Sequence, residues 1–423
     1  MNLKFSSVRW KCVLAFLISL VSLSALAEKQ IYTASFADFD LRARSGKPVS
    51  VVFFGGSLTW GRGASDPERT SYRALMEAHM KEKYPSAKIR FHNSAQGGVG
   101  SKLGMFRIGS DVLAHKPDLV FLEFTTEDEL DGVDRPTLAS YERILRELIS
   151  QGIPVVEVLL GTREFFGADW RHLYPTRLRD HLEMGALYHT GIGNPFPAIQ
   201  TFFRNEKRDR DQIWPDGEDD PNDVGHRFFF EAVRDGFDQA VREKRLCNFP
   251  TDAVFADEYK TLFRFHPAAA PLPSGWRVER TLRPSVESGE TSNDWMKEVA
   301  VADKGDENVK PLRFSFAGTF LGILGEADEN GLGFTISVDG DPIYFDEKEK
   351  DEVWPSNKSG LAGGGHFFWH EISAKLSPGR HTVEILPVSE DQDQKGELRI
   401  ESICVAGPAS DSPQSISARA FGL

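Results

Sequence analysis

The sequence of 423 residues predicts an α/β protein: a three-layer, doubly wound parallel sheet followed by a smaller all-β sandwich domain. Three observations carry that expectation. From Pro48 to about Lys244, short β-branched apolar runs alternate with longer helical patterns, the signature of parallel strands joined by helical crossovers. After Pro250 the pattern changes to short strands separated by turn dipeptides such as Asp339-Gly340 and Pro378-Gly379. Between the two regions, the run Pro267-Ala268-Ala269-Ala270-Pro271-Leu272-Pro273-Ser274-Gly275 reads as a linker.

The elements follow in order. Lys4, Arg9 and Lys11 precede an apolar core from Val13 to Leu23, and Ala25-Leu26-Ala27 is a small-x-small cleavage site. This reads as a secretory signal, because the apolar run is too short for a membrane span. Cys12 lies too early to be a lipoprotein attachment site. The expected layout is a signal peptide over 1–27, an α/β domain over 28–250, a linker over 251–274, a sandwich over 275–408 and a tail over 409–423. The protein is expected to be exported (periplasmic or secreted), with no membrane span after cleavage.

The formal charge of −13 becomes more negative when the three basic residues of the leader are removed. An acidic exported protein is a poor partner for nucleic acid or an anionic membrane. Beyond the leader only Cys247 and Cys404 remain, which is no disulfide framework. They form either one bridge or two unpaired structural thiols. Nothing in the sequence specifies an oligomeric state.

Residues 28–46 read as a lead-in. Strands are expected at Pro48–Phe54, Lys88–His92, Asp118–Phe124 and Pro154–Leu160. Helices are expected at Tyr72–Lys83, Ser101–His115, Thr137–Ser150, Pro175–Leu187 and Gly225–Lys244. The stretch Val51-Val52-Phe53-Phe54-Gly55-Gly56-Ser57-Leu58-Thr59-Trp60-Gly61 organises the rest. An apolar run of this kind is a strand buried on both faces. Two glycines then permit a turn that residues with a Cβ resist. Ser57 is therefore expected at the carboxyl end of a strand, the edge where open α/β sheets bind ligands. The simpler alternative is an N-capping serine.

Four ordered blocks resemble those of the SGNH (GDSL-type) hydrolase superfamily over about residues 48–240. Val52-Phe53-Phe54-Gly55-Gly56-Ser57-Leu58-Thr59 is similar to the first, in a Gly-Gly-Ser variant. Asn93-Ser94-Ala95-Gln96-Gly97-Gly98 is similar to the second. Leu122-Glu123-Phe124-Thr125-Thr126-Glu127-Asp128 is similar to the third, which usually ends Asn-Asp. Pro221-Asn222-Asp223-Val224-Gly225-His226 is similar to the tail of the fifth, which usually begins Asp-x-x-His-Pro. The resemblance implies a flavodoxin-like sheet and a serine esterase or acylhydrolase without a cofactor or metal.

It also implies roles. Ser57 stands at the nucleophile position, and Gly98 at the glycine whose N–H helps to hold the oxyanion, with Gly97 as the off-by-one choice. Glu127 stands where the family has an asparagine donor. Asp220 stands at the histidine position and Gly217 at the aspartate position; a shift of one residue recruits Asp216 but places Asp219 where histidine belongs. A serine hydroxyl needs a nearby base, and the intermediate's oxygen needs preorganised donors. An ionised glutamate only accepts hydrogen bonds; one kept protonated by burial donates. Asp223-Val224-Gly225-His226 repeats the Asp-x-x-His spacing downstream, so His226 is an alternative base, although a histidine after that glycine is commonly structural. His172, His181 and His189 are read as surface or structural.

The acids Asp216, Glu218, Asp219, Asp220 and Asp223 fit no calcium-loop spacing and read as a solvated loop. Gly360–Gly365 lacks a following helix pattern and reads as a flexible loop, not a phosphate cradle. The region from about Gly275 to Pro408 resembles the jelly-roll or immunoglobulin-like modules appended to exported SGNH enzymes. Trp276, Trp295, Trp354 and Trp369 either stack on sugar rings or pack the core, with core packing expected for at least two. Two functions follow. One is an exported ester hydrolase acting through Ser57 on acyl esters of carbohydrate. The other is a catalytically impaired SGNH-like protein that binds glycan or another extracellular partner. The expected partner is a polysaccharide or an acylated glycan.

Overall fold

The computed structural model describes residues 34–130, 132–166, 175–204, 209–281, 296–303, 309–327, 330–357, 367–388 and 396–408. The stretch read as a signal peptide, His172, Trp295, the glycine-rich run at 360–365 and the stretch from 409 lie outside the described residues.

Strand β1 (Pro48–Gly55) sits inside a parallel sheet because nearly all of its side chains are apolar and both faces are covered. Its neighbours are β2 (Lys88–Asn93) and β3 (Leu119–Glu123); β4 (Val155–Val158) and β5 (Gly191–Gly193) continue the sheet in the order β2-β1-β3-β4-β5. Every pairing in it is parallel. Phe53 and Phe121 stack across β1 and β3 with ring centroids 4.7 Å apart. The short β5 carries no apolar run, so the sequence pattern omits it. Gly193 packs against Val233, leaving no room for a Cβ.

The helices start where side chains satisfy free backbone donors. Helix α1 (Phe36–Arg44) lies in the stretch read as lead-in, with Ser35 as its cap. The turn α2 (Ser57–Trp60) follows β1. Ser71 caps α3 (Tyr72–Lys83) by accepting from the Ala74 N–H. Helix α4 spans Ser101–Asp111 and α5 Arg135–Ser150; Asp134 caps the latter. Helices α6 (Thr176–Tyr188) and α7 (Phe196–Phe203) precede α8 (Asp223–Arg242), which Asn222 caps at two N–H groups.

The C-terminal region holds two antiparallel sheets. One is built from β7 (Trp276–Arg280), β8 (Glu298–Asp303), β10 (Phe320–Glu326), β13 (Phe367–Ser373) and β15 (Glu397–Gly407). It also takes β6 (Thr261–Phe265), which pairs with β15 from within the stretch read as linker. The other sheet contains β9 (Leu312–Ala317), β11 (Gly333–Val338), β12 (Asp341–Pro342) and β14 (Arg380–Val388). Trp276 and Trp354 are buried and donate their ring N–H groups to the carbonyls of Lys310 and Ile343.

The two regions share an apolar seam. Phe320, Leu324, Phe367, Cys404 and Ala406 of the sandwich belong to the same buried cluster as the α/β core. Phe320 meets Phe106 of α4 at 5.7 Å, Tyr259 at 5.7 Å and Trp369 at 6.3 Å. An ion pair of 2.7 Å between Lys102 and Glu371 crosses the same boundary. Cys247 and Cys404 are both buried and unbridged, and burial pushes each thiol up to about 12.

Candidate active site

The site is assembled at the carboxyl end of β1. Gly55 and Gly56 let the backbone turn in a space that a side chain would fill. A Cβ on Gly55 would lie 2.4 Å from the Glu123 carbonyl, and one on Gly56 would lie 2.4 Å from Cγ of Glu127. Ser57 opens the single turn α2, which closes on Gly61 at a φ of 115°. Gly98 has a φ of +68°, a left-handed conformation that glycine adopts readily, and its N–H is directed at Glu127.

Glu127 joins these two loops. Its Oε1 accepts from the Ser57 N–H at 3.1 Å and from the Gly98 N–H at 3.2 Å. The structure thus brings Ser57, Gly98 and Glu127 together, with a carboxylate oxygen on the two donors that family chemistry would aim at an oxyanion.

Beneath it lies Glu123, fully buried. Its carboxylate accepts from the Thr59 hydroxyl at 3.1 Å, the Thr125 hydroxyl at 3.1 Å and the Gly56 N–H at 3.4 Å. The Tyr72 hydroxyl and Thr59 Oγ1 are 2.6 Å apart. Burial, and then the charge of Glu127, push the Glu123 carboxyl up to about 7. Asp128 likewise rises to about 7 through burial, although it accepts from the Ser101 N–H at the start of α4.

Asp220 and His226 lie elsewhere in the hydrogen-bond pattern. Asp220 pairs with Arg62 at 2.7 Å. His226 is buried, with Nδ1 accepting from the Tyr72 N–H at 3.3 Å and Nε2 at 2.9 Å from the Arg62 carbonyl. These partners fix the Nε2–H tautomer and engage both nitrogens. Burial also lowers its pKa. Asp223 accepts from the Ser65 N–H and hydroxyl and from Thr70, tying the loop after Ser57 to α8. The backbone of Asp216 lies in the turn Pro215–Gly217, and its side chain is outside the described residues. Among the described residues, no histidine or carboxylate hydrogen-bonds the Ser57 hydroxyl. His181 is buried against Tyr141 at 4.1 Å, and burial drives it down to about 3.

Two residues of this site carry no role in the sequence reading. Arg62 follows the Ser57 motif and holds Asp220, for which the only signal is a basic residue just past Gly61. Glu123 lies within the third block, and nothing in its spacing announces a buried carboxyl. Among the described residues, no group of three or more His, Cys, Asp or Glu could hold a metal ion. No helix among them is long and apolar enough to cross a membrane.

The buried carboxyls make stability depend on pH. Glu123, Asp128 and Glu157 each hold a proton up to about 7, against about 4 in an unfolded chain. Folding therefore takes up protons, and the stability present below the ordinary carboxyl range is lost as pH rises through about 7. Thermal unfolding should show Tm falling by at least about 5 °C between pH 5 and pH 8. Glu123→Gln, which keeps the shape and removes the titration, should flatten that slope. An unchanged slope in the variant would remove Glu123 as a cause.

A three-layer α/β arrangement around a five-stranded parallel sheet, with Ser57 and Gly98 at its carboxyl edge, is the SGNH fold. Residues 53–228 match the family model of the GDSL-like Lipase/Acylhydrolase family. Nearly the whole chain is similar to the crystal structure of a two-domain esterase (CEX) active on acetylated mannans, co-crystallised with mannopentaose. The identity is 18%, the TM-score 0.66, and the match covers 91% of this chain and 99% of that one. A second crystal structure of a two-domain esterase (CEX) active on acetylated mannans matches at 17% identity and a TM-score of 0.64, covering 88% of this chain and 95% of that one. At these identities the likeness establishes the fold, an SGNH domain followed by a β-rich domain. No curated protein sequence matches the chain.

Proposed function

We propose that the protein is an exported, glycan-binding member of the SGNH fold whose Ser57 cleft does not turn over esters. The observation that carries this reading is the Glu127 carboxylate on the N–H groups of Ser57 and Gly98. A tetrahedral intermediate needs those donors for its own negative oxygen. Glu127 withholds them and adds a charge of the wrong sign. Supporting it, the residue at the histidine position, Asp220, is engaged by Arg62. A serine without a base is a poor nucleophile. The glycan part of the reading takes its support from the leader sequence, the appended sandwich and the shared two-domain layout.

The esterase reading retains one observation of its own: both backbone donors are already in place beside Ser57. Reaction with a fluorophosphonate separates the two. The purified mature protein is expected to remain unlabelled while binding mannopentaose or a related oligosaccharide in a calorimetric titration. Stoichiometric labelling that disappears in Ser57→Ala would establish an activated serine and end the binding-only reading.

A further inference from the structure

Between the two domains lies a recess of about 510 Å³, within the usual range of small-molecule sites. Its wall from the α/β domain comes from Phe106 and Ser110 of α4. The sandwich side contributes Arg264, His266, Ala268, Ala269, Glu298 and Glu401, with Lys297 beside them. Ser110 is nine residues along α4 from Ser101, whose N–H donates to Asp128 next to Glu127, so the recess lies about 13 Å along the helix from that contact.

The floor is built and held. Glu401 has a side chain only 2% exposed and accepts from Arg264 at 2.8 Å. Its other oxygen is 3.1 Å from Nδ1 of His266, which is half exposed at the mouth. Arg264 also donates to the Ser402 hydroxyl at 3.1 Å. Burial opposes the charge on Glu401, but His266 and Arg264 hold its carboxyl below the usual range.

From this lining we infer a second ligand site, one for a neutral saccharide of about two pyranose rings. The charges select against the alternatives. A simple anion meets Glu298 and Glu401 as well as Lys297 and His266, and is too small for the volume. An apolar ligand would cover charged groups without satisfying them, which is costly. Sugar hydroxyls both donate and accept: they give protons to carboxylates and take them from ammonium, imidazole and hydroxyl groups. Phe106, Ala268 and Ala269 offer the apolar wall that a ring's C–H face covers. The inference goes beyond the Ser57 cleft and stands whether or not that cleft holds glycan.

Calorimetric titration of the full mature chain with cellobiose, mannobiose, xylobiose and digalacturonate tests it. At least one neutral disaccharide should bind, and Ala269→Trp, which fills the mouth, should abolish that binding. Lys297→Ala, an exposed change that leaves the floor intact, should weaken it about tenfold or more. A circular-dichroism melt matching wild type shows that each variant folds. Absence of binding by all three neutral sugars overturns the inference. So does tighter binding of digalacturonate, or binding that survives both substitutions, which would locate the sugar in the Ser57 cleft instead.

Discussion

A double variant, Glu127→Asn with Asp220→His, should gain fluorophosphonate labelling at Ser57 by at least about a hundredfold over the parent chain. Asparagine turns an acceptor into a donor and removes the carboxylate from the N–H groups of Ser57 and Gly98. Histidine at 220 supplies a neutral base at the family's position, and Arg62, now 2.7 Å from Asp220, favours that neutral form. Neither single change suffices. Glu127→Asn alone frees the hole but leaves the hydroxyl unactivated, while Asp220→His alone activates a serine whose oxyanion has no donors. The gain should therefore be strongly non-additive, as expected for groups that act as a unit. Labelling rates of the four proteins, read by gel fluorescence, check it. A folded double variant that labels no faster than the parent would show that Ser57 is not aimed as a nucleophile.

Phe320→Ala should destabilise the chain by about 3–5 kcal/mol. The ring is fully buried and bridges both halves, meeting Phe106, Tyr259 and Trp369. Its removal leaves a cavity where apolar groups of two domains converge, and the site cannot collapse without moving a sheet. Urea unfolding of the parent should show one transition, and the variant a lower midpoint with the two halves beginning to separate. A loss below about 1 kcal/mol would mean that the seam adds little to stability.

The α/β sheet was readable wherever strands carry continuous apolar runs. Val51 to Phe54 and Leu119 to Leu122 have that form because both faces are covered. Gly191–Gly193 escapes because it pairs through its backbone alone, with Val233 pressed against Gly193. Thr261–Phe265 escapes because its partner, β15, lies more than a hundred residues away. Within the site, the order of the blocks was enough to list Ser57, Gly98 and Glu127 as neighbours. It was not enough to show where the Glu127 carboxylate goes, which depends on the space left by Gly56. For His226 the spacing left open a structural ring or, less favoured, a base; in the structure both ring nitrogens are hydrogen-bonded to backbone groups.

In an ester hydrolase, the acid released by hydrolysis leaves the donors before the next cycle begins. Here the oxygen on those donors belongs to Glu127 and is tethered to the chain, so on the proposed binding-only function the resting protein would resemble an enzyme–product complex that never dissociates. Small carboxylates such as acetate should have no place in the parent cleft, yet should find one once the tether is cut in Glu127→Ala. An inhibitor search based on carboxylate mimics would then pass the parent protein by and succeed only on the Glu127→Ala variant.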